Sequence, residues 1–354
     1  MKKIAVIGNF GILSHPVADG QTIKTRIVTE ELQRQFGVDE VLIINTHGGI
    51  KNLFKSPFQC LRALFNALNI IVFPAHNGVR VYVPVLSLLK YFFRTSKLHY
   101  VVIGGWLPSF ITNRPILKRS LRCFGGIYVE TNTMKEALGQ QGYDNVFIMP
   151  NFKQLAIVKE NDLHMEFCEP YKLCTFSRVM KEKGVGTAVD VVRTINSKYG
   201  RTVYKLDIYG KIEPTQTEWF NQLQQDFPEY VKYCGIVDFN KSVETLKDYF
   251  ALLFPTYYAG EGFAGTIIDA YAAGVPVIAS DWRYNSDIIS DGYTGYVYAT
   301  NKNTCLQILL EDIMQNPQKI IKMRSHCISR AEDYLPMNAI QSLIGNLIDI
   351  NYKG

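Results

Sequence analysis

Residues 254–279 read F-P-T-Y-Y-A-G-E-G-F-A-G-T-I-I-D-A-Y-A-A-G-V-P-V-I-A. The apolar run 251–254 predicts a buried strand that ends at Pro255. A loop carrying Gly260, Glu261, Gly262 and Gly265 follows, and then a helix over 266–273 that Gly274 and Pro276 stop. A second strand over 275–279 closes the unit. Glu261 and Asp269 stand eight residues apart, the first on the glycine-rich loop and the second inside the helix. A helix N-terminus offers unpaired N–H groups and the positive end of a dipole, which suit a phosphate or a sugar hydroxyl.

Around this unit the chain alternates short apolar runs with amphipathic ones. Strands are predicted over 4–7, 41–45, 70–73, 100–103, 126–129 and 146–149. Helices are predicted between them over 22–36, 57–68, 81–93, 115–123 and 134–141. Pro150, Asn151 and the polar stretch 159–164 read as a linker, after which strands over 173–177, 204–209, 231–235, 251–254, 275–279 and 295–298 restart the pattern. Strand–helix alternation means βα units and a parallel sheet, so two doubly wound domains are expected. A length of 354 residues fits two domains. In the last segment Ile340, Leu343, Ile344, Leu347 and Ile348 fall on one face of a helix predicted over 338–350.

The composition narrows the function. Charged residues make up 20% and hydrophobic ones 47%, which excludes a disordered chain. No apolar run has the length of a membrane span. Lys2 and Lys3 precede only a short strand, too short for a signal-peptide core, so a cytoplasmic location is expected. The seven cysteines (60, 123, 168, 174, 234, 305 and 327) form no CxxC pair and no zinc-spaced cluster with histidine. Charge is uneven: residues 1–155 hold 18 Lys+Arg and 8 Asp+Glu, the remainder 20 and 24, about +10 against −4.

At the end of the strand 173–177, Phe176-Ser177-Arg178-Val179-Met180-Lys181-Glu182-Lys183-Gly184 leads into a helix. Ligands of open α/β sheets bind outside the carboxyl ends of strands. There an Arg, as a fork, and a Lys, as a point charge, can reach one diphosphate. Tyr209-Gly210-Lys211 and Gly235-Ile236-Val237 end two further strands. After the first strand, Gly8-Asn9-Phe10-Gly11 and Asp19-Gly20-Gln21-Thr22-Ile23-Lys24-Thr25-Arg26 form a loop and helix start. That arrangement also suits a dinucleotide enzyme, but G-x-G-x-x-G is absent and no acid ends the second strand.

The segment 254–279 resembles the Glu-x7-Glu region of retaining glycosyltransferases of GT-B fold, family 4, with Asp269 in place of the second Glu and Ala264-Gly265 after the Phe. Residues 177–184 are similar to the family's G/S-R-x-x-x-x-K-G motif. The resemblance implies two Rossmann-like doubly wound domains facing a central cleft, GT-B. Residues 1–155 would form the acceptor domain, with a C-terminal crossing helix over 336–354, and 165–335 the nucleotide-sugar domain. It assigns Arg178, Lys183 and Glu261 to catalysis at the donor. Gly11, Gly210, Val237, Gly262, Phe263, Ala264, Gly265, Thr266 and Asp269 would line the donor, with Asp269 on the ribose hydroxyls and Thr266 capping the helix or touching phosphate. Lys24, His76 and Trp106 fall to the acceptor side. Many members carry a histidine after the fourth or fifth strand, where this chain has Gly104-Gly105-Trp106; His76 is the candidate substitute.

The implied reaction moves a hexose from a nucleotide sugar, a UDP-sugar, to a hydroxyl of a lipid-linked glycan in bacterial polysaccharide assembly, with retention. No cofactor and no metal are expected, since no Asp-x-Asp motif ends a strand. Basic residues mixed with apolar anchors at Lys51, Lys55, Arg62, Lys90, Arg94, Arg114, Lys118, Arg119 and Arg122 point to an anionic membrane surface or a polyprenyl-diphosphate-linked acceptor. No nucleic-acid module is present. A nucleotide-sugar epimerase or a phosphorylase on the same fold, and a catalytically weak glycan-binding partner subunit, remain as alternatives.

Overall fold

A computed structural model describes residues 2–11, 20–48, 54–93, 95–300 and 303–347. The predicted features at Asp19, Lys51, Arg94, Ile348 and the tail of the last helix lie outside the described residues. The chain divides into one unit of residues 1–152 with 336–354 and a second of 153–335.

The first unit runs β1 Lys2–Gly8, α1 Gly20–Phe36, β2 Val41–Asn45, α2 Ser56–Asn66, β3 Ala67–Val72, α3 His76–Lys90, β4 Lys97–Val101, α4 Leu107–Ile111, α5 Pro115–Leu121, β5 Gly126–Val129, α6 Asn132–Gly139 and β6 Val146–Ile148. The strands form one six-stranded parallel sheet in the order β2-β1-β3-β4-β5-β6. Right-handed crossovers place α1 on one face and α2 to α6 on the other, because the path reverses direction after β2. Residues 336–347 pack on this unit beside α1, with Ala339, Ile340 and Leu343 buried in its core.

The second unit runs β7 Tyr171–Phe176, α7 Val185–Tyr199, β8 Tyr204–Tyr209, α8 Thr217–Gln225, β9 Val231–Gly235, α9 Ser242–Leu246, β10 Ala251–Phe254, α10 Gly265–Ala272, β11 Val277–Ser280, α11 Asn285–Ile288, β12 Gly295–Tyr298, α12 Asn303–Gln315, α13 Gln318–Ile321 and α14 Met323–Glu332. Its sheet is also six-stranded and parallel, ordered β12-β11-β10-β7-β8-β9. Aliphatic residues of α7, such as Val189, Val192 and Ile195, pack on Leu206, Ile208 and Leu253 to form its core. Buried Arg324 of α14 donates to the carbonyls of Tyr249 and Lys247, which ties the end of the domain to the approach to β10.

Several boundaries differ from expectation. The helix predicted over 81–93 begins at His76, because extended Ala75 already serves as its N-cap, and it runs through Pro84. The strand predicted over 275–279 starts at Val277, since left-handed Gly274 and Pro276 take up the turn. Leu107–Ile111 was not anticipated as a helix. The final helix is two single turns, α15 Pro336–Ala339 and α16 Gln341–Ile344, interrupted at Ile340. The polar stretch 159–164 begins in a short turn of the second unit, and just before it the Val158 amide donates to the Ala272 carbonyl.

Gly184, between the turn after β7 and the start of α7, has φ +73, and a Cβ there would stand 2.1 Å from the Pro255 carbonyl oxygen. Both strain and clash oppose any side chain. Gly184→Ala is expected to cost about 2 kcal/mol or more of stability, read from denaturant midpoints; an unchanged midpoint would show that the β7 and β10 loops do not meet as described.

Candidate functional site

In each sheet the strand path reverses once, and a cavity lies at the carboxyl ends of the strands flanking that point, where open α/β sheets take their ligands. In the second unit the flanking strands are β7 and β10. The cavity there is about 370 Å³ and is lined by Phe176, Ser177, Lys183, Tyr209, Gly210, Lys211, Ile236, Val237, Glu261, Ala264, Gly265, Thr266, Asp269 and Lys153.

Each of the two carboxylates spaced eight apart is held by a lysine. Lys183 Nζ lies 2.6 Å from Glu261 Oε2, which also accepts from Thr256 Oγ1 at 2.8 Å. Both side chains of that pair are largely covered, 10% and 7% exposed. The Lys183 ammonium also sits 5.3 Å from the ring centres of Phe254 and Tyr258, so it is desolvated against aromatic faces. Asp269 Oδ2 takes Lys153 Nζ at 2.5 Å, and its Oδ1 takes Ser242 Oγ at 2.9 Å. Lys153 comes from the segment that follows Asn151, its own amide bound to the Tyr334 carbonyl.

Ala264 caps α10 in extended conformation with no side chain on the first amides. The Ile267 N–H closes on the Ala264 carbonyl, while the Gly265 and Thr266 amides at the cavity can serve a ligand, and the dipole favours an anion. Gly210 (φ +134) lies so near the Ser177 carbonyl that a Cβ would stand 1.8 Å from it, which lets the backbone alone form that wall.

Three assigned residues, Arg178, Gly262 and Phe263, stand off the lining, and Thr266 lines the cavity without capping α10. Arg178 does not line the cavity: it is half exposed and pairs with Glu213 at 2.9 Å, while Val179 turns inward and bridges Ile212. Thr266 does not cap α10, since it lies inside the helix and its hydroxyl donates to the Phe176 carbonyl at 2.5 Å. Phe263 is buried with its ring against Tyr334, and half-buried Gly262 is likewise off the lining.

Sequence reasoning missed Lys153, Thr256 and Ser242. Lys153 is separated from Asp269 by 116 positions, so no local spacing could reveal it.

Gly11, Lys24, His76 and Trp106 belong to the first unit. Its cavity, about 720 Å³, opens at the ends of β1, β2 and β3 and is lined by Asn9, Gln21, Thr46, His47, His76, Asn77 and Tyr82 among others. His76 begins α3 there, and its ring stacks on Trp106 at 4.0 Å. The Trp106 indole donates to the Ile103 carbonyl. Burial, then Arg80 and Arg114, hold the His76 imidazole below its ordinary pKa of 6.5. Gly11 lies off the lining, bonded to the side chains of Asn9 and Asn45. Lys24 also lies off it, in an ion pair with buried Glu130.

Residues 164–334 match the family described as glycosyl transferases group 1. That match lies wholly within the second unit. The GtfA subunit of UDP-N-acetylglucosamine–peptide N-acetylglucosaminyltransferase from Streptococcus gordonii is 27% identical over 176 residues, 47% of this chain and 33% of that protein. The amylovoran biosynthesis glycosyltransferase AmsK of Erwinia amylovora is 22% identical over 161 residues, 43% of this chain and 38% of that protein. The match thus spans about a third of the length of these curated relatives.

Among solved structures, Anabaena HepE in complex with UDP and glucose superposes with a TM-score of 0.68 at 13% identity, covering 98% of this chain and 99% of that one. The lipopolysaccharide outer core galactosyltransferase WaaB gives 0.67 at 14% identity, covering 97% and 98%. The fold is GT-B.

Lys183→Met leaves the Glu261 carboxylate buried without its cation and is expected to cost about 3 kcal/mol of stability. Arg178→Ala breaks only an exposed pair and should cost less than about 1 kcal/mol. Equal losses in urea unfolding would contradict this contrast.

For His76, an NMR titration should give a midpoint below 6.5 that rises when Arg114 is replaced by Gln. Because folding lowers this pKa, the associated stability is present above the ordinary value and is lost as pH falls from there through the lowered folded value. A midpoint at or above the ordinary value would remove the electrostatic argument.

Proposed function

We propose that the protein is a retaining glycosyltransferase that moves a hexose from a UDP-sugar to a hydroxyl of a lipid-linked glycan in bacterial polysaccharide assembly. The observation that carries this reading is the second-unit cavity, where Lys183–Glu261, Lys153–Asp269 and the α10 N-terminus surround one space at the switch point. UDP and glucose are named with HepE and amylovoran biosynthesis with the glycosyltransferase AmsK, which supports the choice of donor and reaction class.

In this reading the diphosphate sits on the amides of Gly265 and Thr266, and Lys183 takes up the negative charge that grows as the glycosidic bond to phosphate breaks. Glu261 orients that lysine and meets the sugar hydroxyls. Asp269 and Lys153 lie toward the ribose, with Gly210 and Val237 along the nucleoside. The acceptor hydroxyl attacks from the face the diphosphate leaves, and the departing phosphate oxygen takes its proton, so the configuration is retained without a protein nucleophile. Positive charge from Lys183 and the helix end serves where a metal otherwise would. Arg178 joins by exchanging Glu213 for phosphate, a cheap exchange because an exposed ion pair is weak. The acceptor binds the first unit at the cavity of His76, with Trp106 behind its ring, and Gly11 and Lys24 shape the nearby loop. The reaction takes place in the cytoplasm at the membrane face, where such acceptors are held.

Thermal-shift titration against UDP-, GDP-, ADP- and dTDP-sugars tests the donor. A UDP-sugar at a hundred times its Kd should add about 2.7 kcal/mol of stability. Lys153→Met should weaken its binding about tenfold, or about 1.4 kcal/mol, whereas Arg178→Ala should lower turnover more than binding. If no nucleotide sugar shifts the wild-type protein, the transferase reading fails and a non-catalytic partner role replaces it. Recovery of an epimerised nucleotide sugar without acceptor would identify an epimerase instead.

A further inference from the structure

Between Glu40 and Glu130 the chain has no acidic residue, while it holds five lysines and six arginines. That stretch contains β2 to β5 and the helices α2, α3, α4 and α5. The helices α2, α3 and α5 lie side by side, α2 against α3 and α3 against α5. They sit on the face of the first sheet opposite α1, where the crossovers put them.

Their outer surface is unlike an ordinary solvated face. Phe58, Arg62 and Phe65 recur at helical spacing along α2 and Phe54 stands in the turn before it, the rings of Phe54, Phe58 and Phe65 being 80%, 76% and 64% exposed, while Cys60, Ala63 and Leu64 face inward. The end of α3 adds Leu88, Tyr91 and Phe92, each about 70% exposed at 68%, 70% and 73%. Phe93 packs edge-on to Phe65 at 4.6 Å and joins the two helices into one patch. On α5, Ile116 is 74% exposed, and Arg119 and, just past the helix end, Arg122 are exposed as well. Large apolar side chains left in water on a monomer mark an interaction site.

We infer that this face docks the protein on an anionic lipid bilayer, with the rings of Phe54, Phe58, Phe65, Tyr91 and Phe92 in the headgroup–acyl boundary and Lys55, Arg62, Arg119 and Arg122 on lipid phosphates. Charge decides among occupants. A second copy of the chain would set the same cationic surface against itself, since a two-fold interface pairs like patches. Apolar anchors interleaved with cations match the layered chemistry of an anionic membrane surface. Among the described residues no helix is long and apolar enough to cross a membrane, so the contact is peripheral. Docking gives the proposed lipid-linked acceptor a fixed approach to the protein, but it is measured without substrate, so its failure and that of the transferase reading are separable.

The test is flotation of the purified protein with vesicles of phosphatidylcholine alone and with added phosphatidylglycerol, at low and high salt. Wild type should float with the phosphatidylglycerol vesicles only, and high salt should weaken binding about tenfold or more. Arg62→Glu/Arg119→Glu/Arg122→Glu and, separately, Phe58→Ser/Phe65→Ser/Phe92→Ser should each abolish flotation while leaving the unfolding temperature near wild type, because all six side chains already face solvent or half face it. Ile308→Ser, an exposed apolar position of the second unit at 67%, should float like wild type. Equal binding to both vesicle types, no binding to either, or unaffected binding by the two triple variants would overturn the proposal. So would a change in sedimentation coefficient for either triple variant, which would assign the face to self-association.

Discussion

The ion pair between Lys183 and Glu261 holds together the two loops from which the second-unit cavity is made. Lys183 ends the turn after β7, and Glu261 lies on the loop after β10, the strands on either side of the switch point. Neither charge is stable alone at that depth, so each fixes the other. Thr256 joins the same carboxylate, and Gly184 allows the Pro255 carbonyl to approach the turn. The cavity wall is thus set by one buried electrostatic contact and one missing side chain, and α10 is presented to the cavity from that frame.

The Lys153–Asp269 pair repeats the arrangement on the inner side of the helix. An aspartate at this position is a methylene shorter than a glutamate, and its carboxylate stays close to α10, where Ser242 takes one oxygen and Lys153 the other. The lysine head extends the polar surface that the shorter acid cannot supply. This wall therefore presents an ammonium donor beside a carboxylate acceptor, whereas a lone glutamate would offer acceptors alone.

The sequence made the layout readable wherever local rules govern. Apolar runs, glycine and proline stops, and helix periodicity located both parallel sheets, and the loop–helix–strand pattern after Phe254 located the cavity. What stayed hidden depends on contacts distant along the chain or on the direction of a side chain within a turn. Lys24 meets Glu130 and Lys153 meets Asp269 across more than a hundred positions. Arg178 and Lys183 share one motif, but extended backbone at Val179 and the helical turn Lys181–Lys183 send them to different surroundings. Spacing placed both near the strand end and could not say which one faces inward. Phe263 misled for a related reason: a phenylalanine in a glycine-rich loop can cover a ligand or anchor the loop, and Tyr334, seventy-one positions later, makes it an anchor.

The uneven charge of the chain acquires a location once the helices are placed. The excess of basic residues in the first unit is not spread over its surface, because the acids of that unit lie on α1, around β2 and beyond β5, leaving α2, α3 and α5 without any. The part of that sheet face covered by α2, α3 and α5 is consequently cationic and aromatic. The strand order that puts the cavity at the β1–β3 switch point also determines which helices share that face. Topology therefore couples the ligand cavity and the cationic surface: α3 begins with His76 at the cavity and ends with Leu88 and Lys90 at the patch, a span of about 22 Å for its fifteen residues.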